Sequence, residues 1–490
     1  MQRMTLSTLT LLVLLLLPRR CGALQVSLLS DTHYDPAYGQ PNGYGKCVVE
    51  SPALGVPGCD APPDLITSVC ADMSAQSSAY MFMAGDLQRH QFDESGLTLN
   101  DTIGTLTENL AAVNTSGTIE GPRVAIAMGN NDMVPNYYLD AINGRNEFLK
   151  DEADIMEKND LLLPEEAQQF VKCAYYLRTV SPTVRLIVLH TLVWCYSISP
   201  AIPDDETDPC GQFDFLNTQL ADARKAGAKV IIMSHIPPYI NVWGVLDARD
   251  FHSIRKDMYW KPVYQQRFNN LMKEYSDTVR VQLYGHTHLF SFQVLPGGVP
   301  SFIIPAITPV YGNNPSYFIS EFDDNDWSLR SLAQRFLSNT TWSNGLRVED
   351  VFGSLSDTAA LQETTHRLLT DDDLWTRFII LRAGGVENHA LFPGGACDWW
   401  CRKLSVCSMQ FATWDELVVC VRQDRAPPGG IVVPVTLVAI FAVFLAVGAG
   451  LLIVHRRRQL QRMQRAEFVE VVDVVSQGAA SAGERSGEQP

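Results

Sequence analysis

The chain has 490 residues, 46% hydrophobic and 19% charged, which is enough apolar material for a large buried core. Its net charge of -16 argues against a general binder of duplex nucleic acid, because an acidic surface repels polyanions at long range. Bound divalent cations can still invert that field locally.

Residues 1–23 carry Arg3, the apolar run 9–17 and the small-residue exit Cys21-Gly22-Ala23, which predicts a secretory signal peptide. Removing Cys21 leaves 10 of the 11 cysteines, an even number in an oxidising compartment, so disulfides are expected. The cluster Cys397, Cys401, Cys407 and Cys420 could also hold zinc, but its irregular spacing and the compartment favour two disulfides. Sequons at Asn100, Asn114 and Asn339 fit a glycosylated luminal surface.

A catalytic domain is predicted over 24–326, beginning at once with the apolar strand 26–30 and Asp31-Thr-His33 at its end. A Gly-, Pro- and Cys-rich loop over 38–63 precedes a helix over 63–77, and the apolar run 80–84 then delivers Gly85-Asp86 with His90 four residues on. Residues 97–113 read as a helix, and 124–128 as a strand ending in Gly129-Asn130-Asn131-Asp132. Further strands are predicted at 184–190, at 230–233 before His235 and at 281–283 before Gly285-His286-Thr287-His288, with a helix over 213–227 stopped by Gly227. Strands over 289–295, 301–304 and 317–322 suggest a second sheet, so the expected architecture is α/β, two packed sheets with helices outside in four layers. A mostly helical, Cys-rich C-terminal subdomain and linker are expected over 327–430. The uncharged run 431–454 makes a helix of about 36 Å, enough to span a bilayer, and His455-Arg-Arg-Arg458 marks its cytoplasmic side before the tail 455–490. The expected protein is thus type I and single-pass, in a lysosome- or vacuole-like organelle or at the cell surface, with its large domain luminal or extracellular.

Taken singly, each of the five strand-end clusters reads most simply as a turn, a cap or a packed histidine. Their joint occurrence, each at the end of an apolar β-rich run, fits a dinuclear metal centre. Asp86 is assigned as the bridge, Asp31, His33 and His288 to one ion, and Asn130, His235 and His286 to the other. Two such ions polarise a phosphoryl group and lower the pKa of a shared water, so no protein nucleophile is needed. His90 is assigned as general acid or transition-state stabiliser, and Asn131 as a polar substrate contact. For Tyr137 and Tyr138, packing is favoured over a place in a substrate cleft.

The motifs Asp31-x-His33, Gly85-Asp86-x-x-x-His90, Gly129-Asn130-x-Asp132, His235 and Gly285-His286-x-His288 resemble those of the calcineurin-like metallophosphoesterase superfamily. The segments Ser30-Asp-Thr-His-Tyr-Asp-Pro36, Gly58-Cys-Asp60, Ala306-Ile-Thr-Pro309 and Asn314-Pro315 narrow the resemblance to acid sphingomyelinase-like phosphodiesterases and endopolyphosphatases. It covers about 24–327 well and the C-terminal subdomain loosely. The resemblance implies two divalent ions, zinc first and manganese, iron or magnesium as alternatives, with the ligands above. Where the superfamily usually has Gly-Asn-His, this chain has Asn131, and an amide cannot act as a general acid. That difference, with no room for a lipid-lifting domain ahead of the catalytic domain, favours phosphoanhydrides or nucleotides such as polyphosphate, and His90 keeps phosphodiesters within reach. The expected partner is a phosphate-containing small molecule, polyphosphate or a lipid headgroup, with the oligomeric state left open. Sphingomyelin hydrolysis is the alternative, an inactive phospholigand-binding receptor a second, and an adhesion ectodomain leaves the five clusters unexplained.

Overall fold

The computed structural model describes residues 23–76, 78–115, 122–248 and 258–422. Chain contacts divide the protein into Met1–Gln423 and Asp424–Pro490, and every element below belongs to the first unit. The predicted signal peptide, apart from Ala23, and the predicted span 431–454 and tail 455–490 lie outside the described residues. Among the described residues no helix is long and apolar enough to cross a membrane.

Twelve strands run in the order β1 (Ala23–Leu29), β2 (Tyr80–Met83), β3 (Val124–Ile126), β4 (Tyr176–Ser181), β5 (Val184–Val188), β6 (Lys229–Met233), β7 (Val279–Tyr284), β8 (Ser291–Gln293), β9 (Ser301–Ile303), β10 (Ser316–Asp323), β11 (Leu329–Ser338) and β12 (Thr341–Arg347). They form two six-stranded mixed sheets, ordered β12-β11-β10-β1-β2-β3 and β4-β5-β6-β7-β9-β8. Strands β1, β2 and β3 are mutually parallel, as are β5, β6, β7 and β9. Such strands are covered on both faces, which explains the unbroken apolar runs: Val26, Leu28 and Leu29 in β1 and Val230 to Met233 in β6 are all fully buried.

Helices flank these sheets. The helix Gln212–Ala226 buries Phe213, Leu216, Leu220 and Ala223 on one stripe, and Gly227 ends it in the left-handed conformation at φ 69°. Each such Phe or Leu contributes roughly 1.5–3 kcal/mol by leaving water.

Two expectations need correction. The predicted strand 317–322 belongs to β10 in the first sheet, antiparallel to β1, whereas β8 and β9 complete the second. The helical C-terminal part begins at Val348 and not at 327, because β11 and β12 extend the first sheet outward from β10. Helix-forming residues in Leu329-Arg-Ser-Leu-Ala-Gln-Arg-Phe336 are overridden by ladder pairing to an already buried strand.

Disulfides join Cys47 to Cys59, Cys173 to Cys210, Cys397 to Cys401 and Cys407 to Cys420, and Cys70 and Cys195 are buried thiols. The C-terminal four therefore form two bridges, as the compartment predicts. Replacing Cys407 and Cys420 together by serine is expected to lower stability by about 3 kcal/mol, since the bridge closes a loop of 13 residues. A urea titration checks this; an unchanged midpoint would show that helix packing alone holds Trp399–Ser408 to Trp414–Arg422.

Candidate active site

All five strand-end clusters lie at carboxyl ends of parallel strands: Asp31 and His33 after β1, Asp86 after β2, Asn130 and Asn131 after β3, His235 after β6, His286 and His288 after β7. The turns that aim them are tight. Asp31, His33, Asp86, His286 and His288 adopt φ of 48°, 40°, 54°, 73° and 62°, a region that costs on the order of 1–3 kcal/mol per non-glycine residue. Buried hydrogen bonds hold it, among them Asp31 N to Gly85 O at 3.0 Å and His33 N to Asp86 O at 3.1 Å. Two glycines give the carboxylates room. A Cβ on Gly129 would fall against Asp86 Oδ1, and one on Gly285 against Ser30 Oγ.

The side chains converge as two linked groups. Asp31, His33 and His288 form one and Asp86, His235 and His286 the other, the ligand atoms within each lying within 4.8 Å of one another. His33 Nε2 is 3.2 Å from His288 Nε2 and 3.5 Å from Asp86 Oδ2, while His288 Nε2 is 3.5 Å from Asp31 Oδ1. On the other side His235 Nε2 stands 3.2 Å from Asp86 Oδ2 and 3.3 Å from His286 Nδ1. Asp86 thus touches both groups. Carbonyl oxygens only accept, so His33 donates from Nδ1 to Gln88 O at 3.1 Å and His235 from Nδ1 to Ala84 O at 2.7 Å, which aims each Nε2 inward.

Charge in this pocket is unbalanced in a way that suits cations. Burial lowers His33 to about 4 and His286 to about 3, and drives His288 well down, so these imidazoles are neutral near pH 7. Burial raises the Asp31 carboxyl to about 7, with His235 pulling it down and the Asp86 charge pushing it up. Burial also opposes ionisation of Asp86, but the charges of His235, His33 and His286 and the His235 hydrogen bond outweigh it and hold Asp86 well below the ordinary range. His235 responds in kind: burial lowers it, yet Asp86 lifts it to about 9. The positive charge drawn to His235 is the one a bound cation would replace. Asn130 supplies a further donor, since its Oδ1 is buried with no hydrogen-bond partner while its Nδ2 donates to Asn136 Oδ1 at 3.1 Å. Neutral inward nitrogens, paired carboxylates and this orphaned oxygen fit a pair of divalent cations.

His90 lies beside the first group. Its ring stacks on His33 at 4.0 Å and 12°, and Tyr44 covers it at 4.8 Å. Asp60 grips it twice, accepting from His90 N at 2.7 Å and facing Nδ1 at 2.8 Å, and Nε2 meets the Tyr311 hydroxyl at 3.3 Å. Burial lowers the His90 pKa, but the hydrogen bond to Asp60 and its charge outweigh burial and raise it. Asp60 and Tyr311 were not assigned from sequence, although Asp60 lies in the Gly58-Cys-Asp60 segment. Asp132 is a third unassigned member. Its carboxylate accepts from Asp86 N at 2.9 Å, Leu87 N at 2.7 Å, Gln88 N at 2.9 Å and Gly129 N at 2.7 Å, clamping the Asp86 turn to the Asn130 turn.

Asn131 donates from its backbone to Asp86 Oδ1 at 2.8 Å and from Nδ2 to Asp86 Oδ2 at 2.9 Å, with Oδ1 buried and unpartnered. Its amide is therefore tied to the bridging carboxylate. A cavity of about 600 Å³ adjoins the centre, with Tyr137, Trp243, Tyr259, His286, Tyr311 and Arg382 in its wall. Tyr137 lines this cavity, against the expectation of simple packing; Tyr138 packs on Phe148 at 6.5 Å.

Parallel strands presenting two histidine and carboxylate groups from two mixed sheets define a metallophosphoesterase. The chain belongs to the calcineurin-like phosphoesterase family, whose pattern it matches over residues 24–290. Human acid sphingomyelinase-like phosphodiesterase 3b is 25% identical over 438 residues, covering 82% of this chain and 90% of that protein. Human cyclic GMP-AMP phosphodiesterase SMPDL3A is 27% identical over 337 residues, 64% of this chain and 70% of its own length. Human sphingomyelin phosphodiesterase is 25% identical over 440 residues, covering 81% and 65%.

Proposed function

We propose that this protein is a dinuclear metal-dependent hydrolase of phosphodiester or phosphoanhydride bonds, with nucleotides and polyphosphate favoured. The observation that carries the reading is the meeting of two buried ligand groups at Asp86, next to an Asp60-supported His90. When bound, two divalent ions would polarise the phosphoryl group and supply an activated water. Asp31, His33 and His288 would hold one, Asn130, His235 and His286 the other, with Asp86 between them. Asp132 fixes the Asp86 turn, and Asn131 steers its carboxylate. Protonated His90 offers its Nε2 proton to the leaving oxygen, while Asp60 orients the ring and supports its charge. That pair removes the strongest reason for restricting the chain to anhydrides, because an acid is available despite Asn131.

A second reading, sphingomyelin hydrolysis, is favoured by Tyr137, Tyr259, Tyr311 and Trp243 in the cavity wall, since aromatic faces attract quaternary ammonium. The deciding experiment compares hydrolysis of polyphosphate, ATP, a chromogenic phosphodiester and sphingomyelin by the full-length protein, with and without added zinc. Leading turnover of ATP or polyphosphate supports the first reading; leading turnover of sphingomyelin replaces it with the second. Gly129→Ala is expected to weaken metal retention roughly 10–100-fold by displacing Asp86, as loss of a supporting contact does. Metal content after graded chelation checks it, and retention equal to the parent would show that Asp86 needs no such room.

We further propose the topology read from sequence, with the domain boundary moved from 327 to Val348: a span at 431–454, and the catalytic domain on the luminal or extracellular side. Four disulfides and exposed asparagines at Asn100, Asn114 and Asn339 support it. Digestion of sealed vesicles with a glycosidase and a protease tests the orientation.

A further inference from the structure

Arg382 ends the helix Asp372–Arg382 and lines the cavity whose wall also holds His286 of the second ligand group. Its position is electrostatically odd. Its Nε is buried with no hydrogen-bond partner among the described residues, and its Nη1 donates to Phe290 O at 3.4 Å. No carboxylate of the described residues forms an ion pair with it, and its guanidinium lies 5.8 Å from the Phe392 ring. The contrast with Arg178 is sharp: that buried arginine holds Glu166 through Nε at 2.9 Å and Nη2 at 2.6 Å. A guanidinium presents five donors in a rigid fork suited to phosphate and carboxylate, and Arg382, half-buried with its Nε out of reach of water, leaves most of that fork unused. Burial depresses the Arg382 pKa to about 10, which still leaves it cationic at neutral pH. The cavity falls within the roughly 300–1,000 Å³ typical of small-molecule sites, so a group held at the metal-ligand cluster and a second group at the arginine can belong to one ligand.

We propose that Arg382 is a specificity-determining residue that binds a second phosphoryl group of the substrate, so that the preferred substrates carry at least two phosphoryl groups. The proposal rests on the reading of the adjacent centre as the phosphoryl-cleaving site. It also separates the two readings of the aromatic wall. A zwitterionic phosphocholine would place a cation in a chamber that already contains one, whereas a nucleoside triphosphate or short polyphosphate would pair with it while a base stacks on the tyrosines.

The test uses full-length protein with Arg382→Met and Arg382→Lys. Kinetics are measured on ATP, on tripolyphosphate and on a chromogenic diester with a single phosphate. Binding of tripolyphosphate is measured separately by calorimetry. For Arg382→Met the expected result is a KM for ATP and tripolyphosphate raised roughly 10–100-fold, as for loss of a charge-assisted hydrogen bond, with little change in kcat. The single-phosphate diester should stay within about twofold of the parent by the same principle, and Arg382→Lys should recover part of the loss. ATP and tripolyphosphate serve as distinct sources of the second phosphoryl: loss on both assigns the subsite to the phosphate chain, and loss on ATP alone assigns it to the nucleotide. Equal losses on all three substrates would overturn the proposal in favour of a structural role, and so would no loss on any. If the parent turns over none of them, the reading of the centre fails on its own. The arginine is then judged by calorimetry, where weaker tripolyphosphate binding in Arg382→Met supports the subsite and unchanged binding overturns it.

Discussion

Replacing His90 with glutamine is expected to lower kcat by roughly 10²–10⁴-fold on a diester with an alkoxide leaving group, the usual contribution of a positioned general acid. The loss should be much smaller when the leaving group is a phosphate, which departs with little protonation. The geometry behind this is the double contact with Asp60, which turns Nε2 towards Tyr311 and the centre. A pH dependence follows with a definite sign. Burial lowers the His90 pKa, but the hydrogen bond to Asp60 and its charge outweigh burial and raise it above the ordinary 6.5, so the acid form extends to higher pH than in a free imidazole and is lost as pH rises through the raised value. Alkoxide-releasing activity should therefore decline on the alkaline side, and His90→Gln should abolish that limb. Asp60→Asn should move the limb to lower pH. Equal losses of kcat on substrates with good and poor leaving groups would sink the acid role and leave His90 as an orienting group.

Asp86→Asn should have the second large effect. Its carboxylate is within 3.5 Å of both His33 and His235, and a neutral amide cannot neutralise two cations at once. Loss of about 4 kcal/mol of transition-state stabilisation corresponds to roughly 10³-fold in kcat. Bound metal, measured by plasma emission after desalting, should fall below the parent's complement. A variant that retains its full metal content and activity within tenfold of the parent would show that the two groups do not share this residue.

The clustering of the candidate ligand residues was legible because each ends an apolar run that reads as a buried parallel strand, and parallel strands gather their carboxyl ends on one edge. The partners that tune them were not. Asp60 and Tyr311 arrive from irregular segments whose approach to His90 is set by tertiary packing, and nothing in local periodicity marks them. Asp132 was visible as part of a motif, but its four backbone donors come from turns more than forty residues apart in sequence as well as from its own. Arg382 illustrates the same limit, since a lone arginine after a hydrophobic stretch reads as a helix-end cation. Strand β11 was misread for another reason: its Leu, Ala, Gln and Arg suit a helix, and only the unpaired flank of β10 makes a strand the better outcome, with β12 then pairing on β11.

The placement of β1 beside β10 has a consequence for synthesis. Val26 and Ser320 are joined by a hydrogen bond across 294 residues, so the strand bearing Asp31 and His33 emerges long before its antiparallel neighbour exists. At ribosomal speeds of ~5–20 residues per second, that delay is on the order of 15–60 s. Until β10 arrives, one flank of β1 is an open hydrogen-bonding edge of apolar chain, the feature most prone to pairing with a stranger. The turn bearing Asp31 and His33 is thus flanked by its full sheet only once about two thirds of the chain has been made, since β10 ends at Asp323 of 490 residues.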